Sequence, residues 1–331
     1  MTEKQIKNII KGFKNQNVLV IGDAMIDSYM WGHIERMSPE APVPVVSVDS
    51  REECLGGAAN VALNVQSLGA TPFLCSVVGE DIRGDLFVQL MQQRGLNTEG
   101  IVPLNDRPTT VKTRIISGDQ HVLRVDQEST EDVPVSLVLK RIQKIFKQHD
   151  IQVMIFEDYN KGLLTPDLIN AVVELAHQHQ IPVAVDPKKN NYWAYKNVDL
   201  FKPNWKELIE GLEDAHPAAA AAQAEIRKKT ISETRMRLSA RCVLCTLSEH
   251  GVHIQNDSED LHFPVYKRKI VDVSGAGDSV ISTAALVYAQ GVGIRDVARF
   301  ANLAGGLVCE HVGVVPIDRS ELREEALRHL T

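Results

Sequence analysis

The stretch PVSLVLKRIQKIFKQHDIQVMIFEDYNKGLLTPDLINAVVELAHQHQIPVAV, residues 134–185, decides how the chain is read. Its apolar residues recur at helical spacing as far as His149, then crowd into Val153-Met-Ile-Phe156. Helical spacing returns from Pro166 to Gln180, and the stretch closes on Val183-Ala-Val185. Short, wholly apolar strands are buried on both faces, and crossover helices of this length make neighbouring strands parallel. Val198 to Phe201 and Val243 to Thr246 read as further strands of the same kind. The expectation is an α/β fold with a mostly parallel central sheet and helices on both faces.

Upstream, Val18-Leu-Val-Ile-Gly22 is a β-branched run ending in Gly, and the segment from Gly56 to Ala70 carries Ala59, Val61, Ala62, Val65 and Leu68 at helical spacing. Two excursions interrupt the pattern. Val43-Pro-Val-Val-Ser-Val48 contains proline, which fits an edge strand outside the main sheet. Between Ile101 and Val125, Thr110, Lys112, Arg114 and Ile116 alternate against Val111, Thr113 and Ile115. Together these predict a small β lid, with strands at about 43–54 and 101–126, on a single domain spanning residues 1–331. The Ala-rich run from Pro217 to Ala222 reads as a surface helix rather than a linker, because Ala is the strongest helix former.

Composition narrows the function. The 331 residues are 44% hydrophobic, which allows a sizeable core, and the formal net charge of −7 disfavours nucleic acid or an anionic membrane as the main partner. Five cysteines, an odd number in a long chain, predict reduced thiols and a cytoplasmic location rather than a disulfide framework. Cys242 and Cys245 have C-x-x-C spacing but fall in a strand-like run, not at the helix start a redox motif needs. The N-terminus has no apolar core of a signal peptide, and the uncharged stretch from Ser279 to Ile294 falls short of the roughly 18 apolar residues of a membrane span. His177 and His179 point to different faces of one helix, and His250 and His253 flank a turn, so no histidine metal cluster is expected.

The chemistry concentrates in Asp272-Val-Ser-Gly-Ala-Gly-Asp-Ser279, which precedes the apolar helix Val280 to Tyr288. A turn almost free of side chains at a helix start lets backbone N–H groups and the helix dipole face an anion. A carboxylate in the first turn, Asp278, then stands beside that anion. It can take the proton of a substrate hydroxyl while the N–H groups stabilise charge on a transferred phosphoryl group. Read alone, the four residues from Gly275 fit a plain helix N-terminus equally well. The Walker pattern is absent, as is a G-x-G-x-x-G turn after the first strand, so any phosphate grip is of another kind.

Three segments in this order, Gly56-Gly-Ala-Ala-Asn60, Pro203-Asn-Trp-Lys-Glu207 and Gly275-Ala-Gly-Asp278, resemble the signatures of the ribokinase-like carbohydrate kinases, the PfkB family. The resemblance covers nearly the whole chain. It is nearest to the D-glycero-β-D-manno-heptose 7-phosphate kinases, the kinase part of ADP-heptose synthase, through Gly22-Asp-Ala-Met-Ile-Asp27, Met37-Ser-Pro-Glu-Ala-Pro-Val-Pro-Val-Val46, Asp158-Tyr-Asn-Lys-Gly162 and Val185-Asp-Pro-Lys188. It implies a ribokinase-like fold and ATP-dependent phosphorylation of the heptose 1-hydroxyl on the way to lipopolysaccharide core.

Carried over by position, the resemblance implies Asp278 as catalytic base and Gly275, Ala276 and Gly277 as the anion hole. Asp27, Gly56, Gly57 and Asn60 would hold sugar hydroxyls; read alone, Asp27 fits a turn and Asn60 a helix N-cap. Asn204 and Glu207 match the N-x-x-E motif, whose carboxylate organises Mg2+ through water, although Asn followed three residues later by Glu is also a capping-box spacing. Thr246, Ser248 and Gly251 match the nucleotide loop, and Asn302 falls in the helix bordering adenine. Among Lys112, Arg114, Arg124, Lys161 and Lys188, Arg124 and Lys161 are the expected contacts to the phosphate of the acceptor. Ser274 and Ser279 stand where relatives often carry Thr.

The resemblance further implies ATP and Mg2+, leaves activation by K+ open, and predicts a homodimer clasped through the lid, whose strand edges would otherwise stand exposed. No adenylyltransferase signature is present, so a kinase-only form with a separate adenylyltransferase is expected. Two rival readings remain: the same chemistry on another sugar, sugar phosphate or nucleoside, and a non-catalytic sugar or nucleotide sensor.

Overall fold

The computed structural model describes residues 1–118, 120–212 and 223–331; the expected helix from Pro217 to Ala222 lies outside the described residues. In chain order the first half comprises α1 (Glu3–Gly12), β1 (Asn17–Gly22), β2 (Ala24–Met37), β3 (Pro44–Gly57), α2 (Ala58–Ser67), β4 (Thr71–Gly79), α3 (Ile82–Gln93), β5 (Ile101–Leu104), β6 (Val111–Ser117), β7 (Gln120–Gln127) and α4 (Val135–Gln148). The second half comprises β8 (Val153–Glu157), α5 (Pro166–Gln178), β9 (Val183–Asp186), β10 (Leu200–Phe201), α6 (Trp205–Leu212), α7 (Ala224–Leu238), β11 (Cys242–Thr246), β12 (Val252–Gln255), β13 (Asp260–Phe263), α8 (Ala276–Tyr288), α9 (Ile294–Val308) and α10 (Arg319–His329).

The large sheet runs β13-β12-β11-β10-β9-β8-β1-β4-β5. Every pairing from β11 to β5 is parallel, and β12 and β13 add an antiparallel edge. Because successive strand side chains point to opposite faces, β1 feeds two cores: Val18 and Val20 pack with α1, α2, α8, α9 and α10, while Leu19 and Ile21 pack with α4, α5, α6 and α7. Burial on both faces is why these strands read as continuous apolar runs. Thr165 illustrates local agreement: its hydroxyl caps α5 by accepting from Leu168 N at 3.3 Å, with Pro166 in the first turn, where no N–H is missed.

A second sheet, ordered β3-β2-β6-β7, stands apart. β2 pairs antiparallel with β3 and parallel with β6, and β7 completes a hairpin with β6. Three expectations are corrected here. Residues 24–37 form a long strand where the sequence offered none, because the outer half of β2 is exposed on both faces and carries no alternation. β3 extends through Gly56 and Gly57, so these glycines end a strand and the helix begins at Ala58. Ile101–Leu104, expected in the lid, instead lies parallel to β4 at the edge of the large sheet, because α3 is the crossover of a β4-α3-β5 unit.

All five cysteines are free, and Cys242 and Cys245 are buried on β11. Among the described residues no helix is long and apolar enough to cross a membrane.

Candidate active site

α8 starts where Gly275 adopts φ 76°, a left-handed conformation that L side chains rarely take, with Asn60 Nδ2 3.3 Å from where a Cβ would stand. The first regular helical bond is Ser279 N to Gly275 O at 3.1 Å, so the N–H groups of Gly277 and Asp278 lie ahead of the ladder at the positive end of the helix. Of the expected anion-hole residues, Ala276 alone spends its N–H, in a long 3.3 Å bond to Val273 O. A Cβ on Gly277 would have Asp186 Oδ2 at 3.6 Å and Lys202 Nζ at 3.9 Å, so this turn faces charged groups across open space.

Asp278 is buried and accepts from Asn60 Nδ2 at 2.5 Å and from the Tyr159 hydroxyl at 3.3 Å. Burial, helped by the charge of Asp186, pushes its pKa up to about 6, against the pull of the Asn60 bond and of Lys202 and Lys188. Asn60 is held in turn by α2, whose Asn64 donates to Asn60 O at 2.9 Å and accepts from Ser279 Oγ at 2.7 Å and Ile317 N at 3.0 Å. One polar chain therefore ties α2, α8 and the segment before α10 around the carboxylate.

Parallel register assembles a charged cluster at the carboxyl ends of the strands. Glu157 ends β8 opposite Asp186 at the end of β9, and Lys202 follows β10 with its N–H on Val185 O at 2.8 Å. Lys202 Nζ lies 2.8 Å from Asp186 Oδ2, both side chains almost fully buried. Burial alone would lower Lys202, but Asp186 and then Glu207 reverse this and hold its pKa above the ordinary lysine value. Glu157 is driven well above the ordinary carboxylate value by burial, then by Asp186 and Asp278. Lys188 pairs with Glu207 and sits 5.5 Å over the Tyr159 ring.

A cleft of about 940 Å3 opens from this cluster and brings together Asn204, Glu207, Thr246, Ser248, Gly251 and Asn302 with the turn Gly275 to Asp278. Asn204 and Glu207 form the capping box that the spacing allowed: Asn204 N donates to Glu207 Oε2 at 2.8 Å and Glu207 N to Asn204 Oδ1 at 2.9 Å. Asn302 Nδ2 donates to Pro264 O at 2.8 Å, fixing the far wall. The donor set suits a hard cation: Asp186 Oδ1 is buried without a hydrogen-bond partner, and Glu207 shares the cleft. No group of three His, Cys, Asp or Glu forms a metal cage among the described residues.

Asp27, Gly56, Gly57, Arg124 and Lys161 do not line this cleft. Asp27, on β2, is ion-paired with Arg114, and a Cβ on Gly56 would strike its carboxylate at 2.2 Å, so Gly56 is required by close approach. Gly57 takes φ 59° as the chain turns into α2, and Ala58 N bonds Asp23 O at 3.0 Å. Lys161 pairs with Glu128 at 2.7 Å, whereas Arg124 is mostly exposed and pairs with Asp126 at 3.0 Å. The loop carrying Tyr159 and Lys161 is pinned by Asp23, which accepts from the N–H groups of Tyr159 (2.9 Å), Lys161 (3.1 Å) and Leu163 (3.3 Å). Burial, and then Asp158, raise Asp23 to about 6.

Sequence reasoning missed Glu157, Asp186, Lys202 and Tyr159 as site residues. A usable signal existed: three of them stand at or just beyond the carboxyl end of a readable strand, where open parallel sheets place their ligand crevices.

A family model described as pfkB family carbohydrate kinase matches residues 15–319. The chain is 36% identical over 329 residues to the Bifunctional protein HldE of Geobacter metallireducens, covering 97% of this chain and 65% of that protein. It is 39% identical over 303 residues to the Bifunctional protein HldE of Helicobacter pylori, covering 90% and 64%. The chain thus spans just under two thirds of the length of these relatives. Phosphofructokinase-2 from Escherichia coli in complex with potassium superimposes with a TM-score of 0.75 at 15% identity, covering 93% of this chain and 97% of that one. Arabidopsis thaliana ribokinase complexed with ribose and ATP gives 0.72 at 17% identity, covering 93% and 98%. These likenesses show a ribokinase-like fold, and the family match over residues 15–319 places the chain in the pfkB family of ATP-dependent carbohydrate kinases.

Proposed function

We propose that the chain transfers the γ-phosphoryl group of ATP to the 1-hydroxyl of D-glycero-β-D-manno-heptose 7-phosphate, giving the 1,7-bisphosphate and ADP. The observation that carries the reading is Asp278: a buried carboxylate at the open start of a helix, held by Asn60 and Tyr159, with a pKa near neutrality. The branch is supported by the heptose-kinase resemblance of the Ser38 to Val46 and Asp158 to Gly162 segments, and by the relatives named HldE.

In this reading Asp278 accepts the proton of the acceptor hydroxyl as its oxygen attacks the γ-phosphorus and the bond to the β–γ bridging oxygen breaks. The N–H groups of Gly277 and Asp278 stabilise charge on the transferred group, and Lys202 and Lys188 add fixed positive charge. Asp186, and Glu207 through water, would hold Mg2+, which neutralises phosphate charge when bound. Thr246, Ser248, Gly251 and Asn302 form the nucleoside end of the cleft. Asp27, Asn60 and the Gly56-Gly57 backbone face the acceptor. We also propose a homodimer through the small sheet, where Ile34, Met37, Val48, Leu123 and Val125 are exposed; a dimeric mass by light scattering at micromolar concentration is the expected outcome. The product would then enter adenylyl transfer.

The test is ADP release with Mg-ATP and the heptose 7-phosphate, run beside ribose and fructose 6-phosphate. A strong preference for the heptose phosphate supports the assignment; a preference for another sugar retains the Asp278 chemistry and discards the heptose.

A further inference from the structure

Resting on the reading of the cleft as the nucleotide site, we propose that Arg268 is a positioning residue for the nucleotide, and that the C-terminal helix α10, by way of Glu325, acts through it on how tightly the cleft holds its ligand. Residues 264–273 supply one wall of the cleft yet carry neither helix nor strand. The ends of this span are tied to α9 and its cap. Asn302 Nδ2 donates to Pro264 O at 2.8 Å, and Val271 N and Asp272 N both donate to Cys309 O, at 2.8 and 3.2 Å. Between these tethers Tyr266 and Arg268 are half-buried, whereas Val265, Lys267 and Lys269 are exposed.

Arg268 is the charged strut of this span. Its residue lines the cleft, but its side chain is only 7% exposed. One arm of the guanidinium meets Glu310, just past the end of α9, at 3.1 Å, and the other pairs with Glu325 on α10. Cδ and Nε lie 3.2 Å from where a Cβ on Gly306 would stand, so α9 presses against the stem. A planar fork reaches two carboxylates in fixed directions, which the point charge of an ammonium does not. With both outer nitrogens on carboxylates and Nε buried against α9 without a hydrogen-bond partner, the residue holds the wall rather than gripping a phosphate.

A strut needs firm ground, and α10 supplies it. Asp318 caps the helix, accepting from Ser320 N and Glu321 N at 2.8 Å, and Arg319 donates to Ile10 O at 3.0 Å. At the far end Leu330 O accepts from the Met1 ammonium at 2.8 Å and from Arg299 at 3.1 Å. Leu322, Ala326 and Leu330 are buried in the core. Glu325 is also paired with Arg328 and His329, and the His329 ring lies 4.6 Å from the Tyr266 ring, so a second residue of the wall rests on the same helix. The proposed base is held separately, by Asn60 and Tyr159. Loss of the strut therefore loosens nucleotide binding and leaves the acceptor side in place.

The experiment titrates a non-hydrolysable ATP analogue with Mg2+ by calorimetry, beside kcat and KM from ADP release, in wild type, Arg268→Met, Arg268→Lys, Glu325→Gln and Gly306→Ala. Arg268→Met is expected to weaken the analogue and raise KM for ATP by about tenfold, with kcat at saturating ATP falling by less than about threefold. KM for whichever of the heptose 7-phosphate, ribose and fructose 6-phosphate is turned over best should stay within about twofold. Glu325→Gln leaves the Glu310 arm and Arg268→Lys restores the charge without the fork, so each should weaken the analogue by about threefold. Gly306→Ala keeps every charge and pushes the Arg268 stem aside with one methyl group, again for about a threefold loss. Analogue affinity within about twofold of wild type in Arg268→Met overturns the positioning role. If that variant fails to fold, unchanged affinity in both Glu325→Gln and Gly306→Ala overturns it instead. A wild type that binds no analogue overturns the functional reading and this inference together.

Discussion

The region proposed to hold the phosphoryl donor and the region proposed to hold the acceptor handle charge in opposite ways. Around Asp186 and Lys202 the ionic groups sit at the carboxyl ends of central parallel strands, nearly sealed from water and locked by register. Around Asp27, Lys112, Lys161 and Arg124 they sit on or beside a thin second sheet, from almost buried to 60% exposed, and each has a local countercharge. Register cannot drift in the first region without dismantling the main sheet, whereas exposed strand positions in the second tolerate change. Under the proposed function, chemistry falls to the rigid half and recognition to the adjustable one.

The comparison breaks first at Asp278. Asp278→Asn is expected to lower kcat by roughly 10²–10⁴-fold in an ADP-release assay. The same variant should be more stable at neutral pH. A carboxyl group whose folded pKa of about 6 lies above its unfolded value binds its proton more tightly when folded, so its ionised form opposes folding above pH 6 and the penalty fades as pH falls. Removing it should add on the order of 3 kcal/mol at pH 7, measured by urea unfolding; lower stability together with full activity would sink both roles. Lys202→Met takes the nearer of two cations from buried Asp186, leaving Lys188 at 3.9 Å, and should cost about 3 kcal/mol by urea unfolding.

Smaller effects sharpen the contrast. kcat/KM should fall about tenfold per pH unit below pH 6, as Asp278 becomes protonated. Asn60→Ala removes a hydrogen bond that holds this pKa down, so the acid limb should move up by about one unit. Arg124→Ala, in the exposed pair, should change stability by less than about 0.5 kcal/mol by urea unfolding.

The two halves also differ in how much the sequence disclosed. Strands such as Val153–Phe156 were readable because double-sided burial leaves an unbroken apolar run, whereas the Gly275 to Asp278 turn, which alone fits a plain helix N-terminus equally well, was readable only through its order with Gly56 to Asn60 and Pro203 to Glu207. β2 was not readable: its stability comes from pairing with β3 and β6, not from an alternating face. Glu157, Asp186 and Lys202 escaped for a related reason. They are scattered along the chain, and only parallel register makes them neighbours. Glu207 had two readings, cap or metal organiser, and its capping bonds are made without excluding a water-borne role for the same carboxylate.

The bond between Asn60 and Asp278 joins positions 218 residues apart. In the order of synthesis, everything proposed to recognise the acceptor, from Asp27 to Lys161, leaves the ribosome before the strand ends that carry Asp186 and Lys202, and the helix bearing the proposed base comes later still. In the proposed mechanism a chain interrupted before α8 lacks the base and the turn in front of it, so every such fragment is without phosphoryl transfer. In the proposed mechanism activity waits for the segment that carries Asp278, a timing set by where one aspartate stands in the sequence.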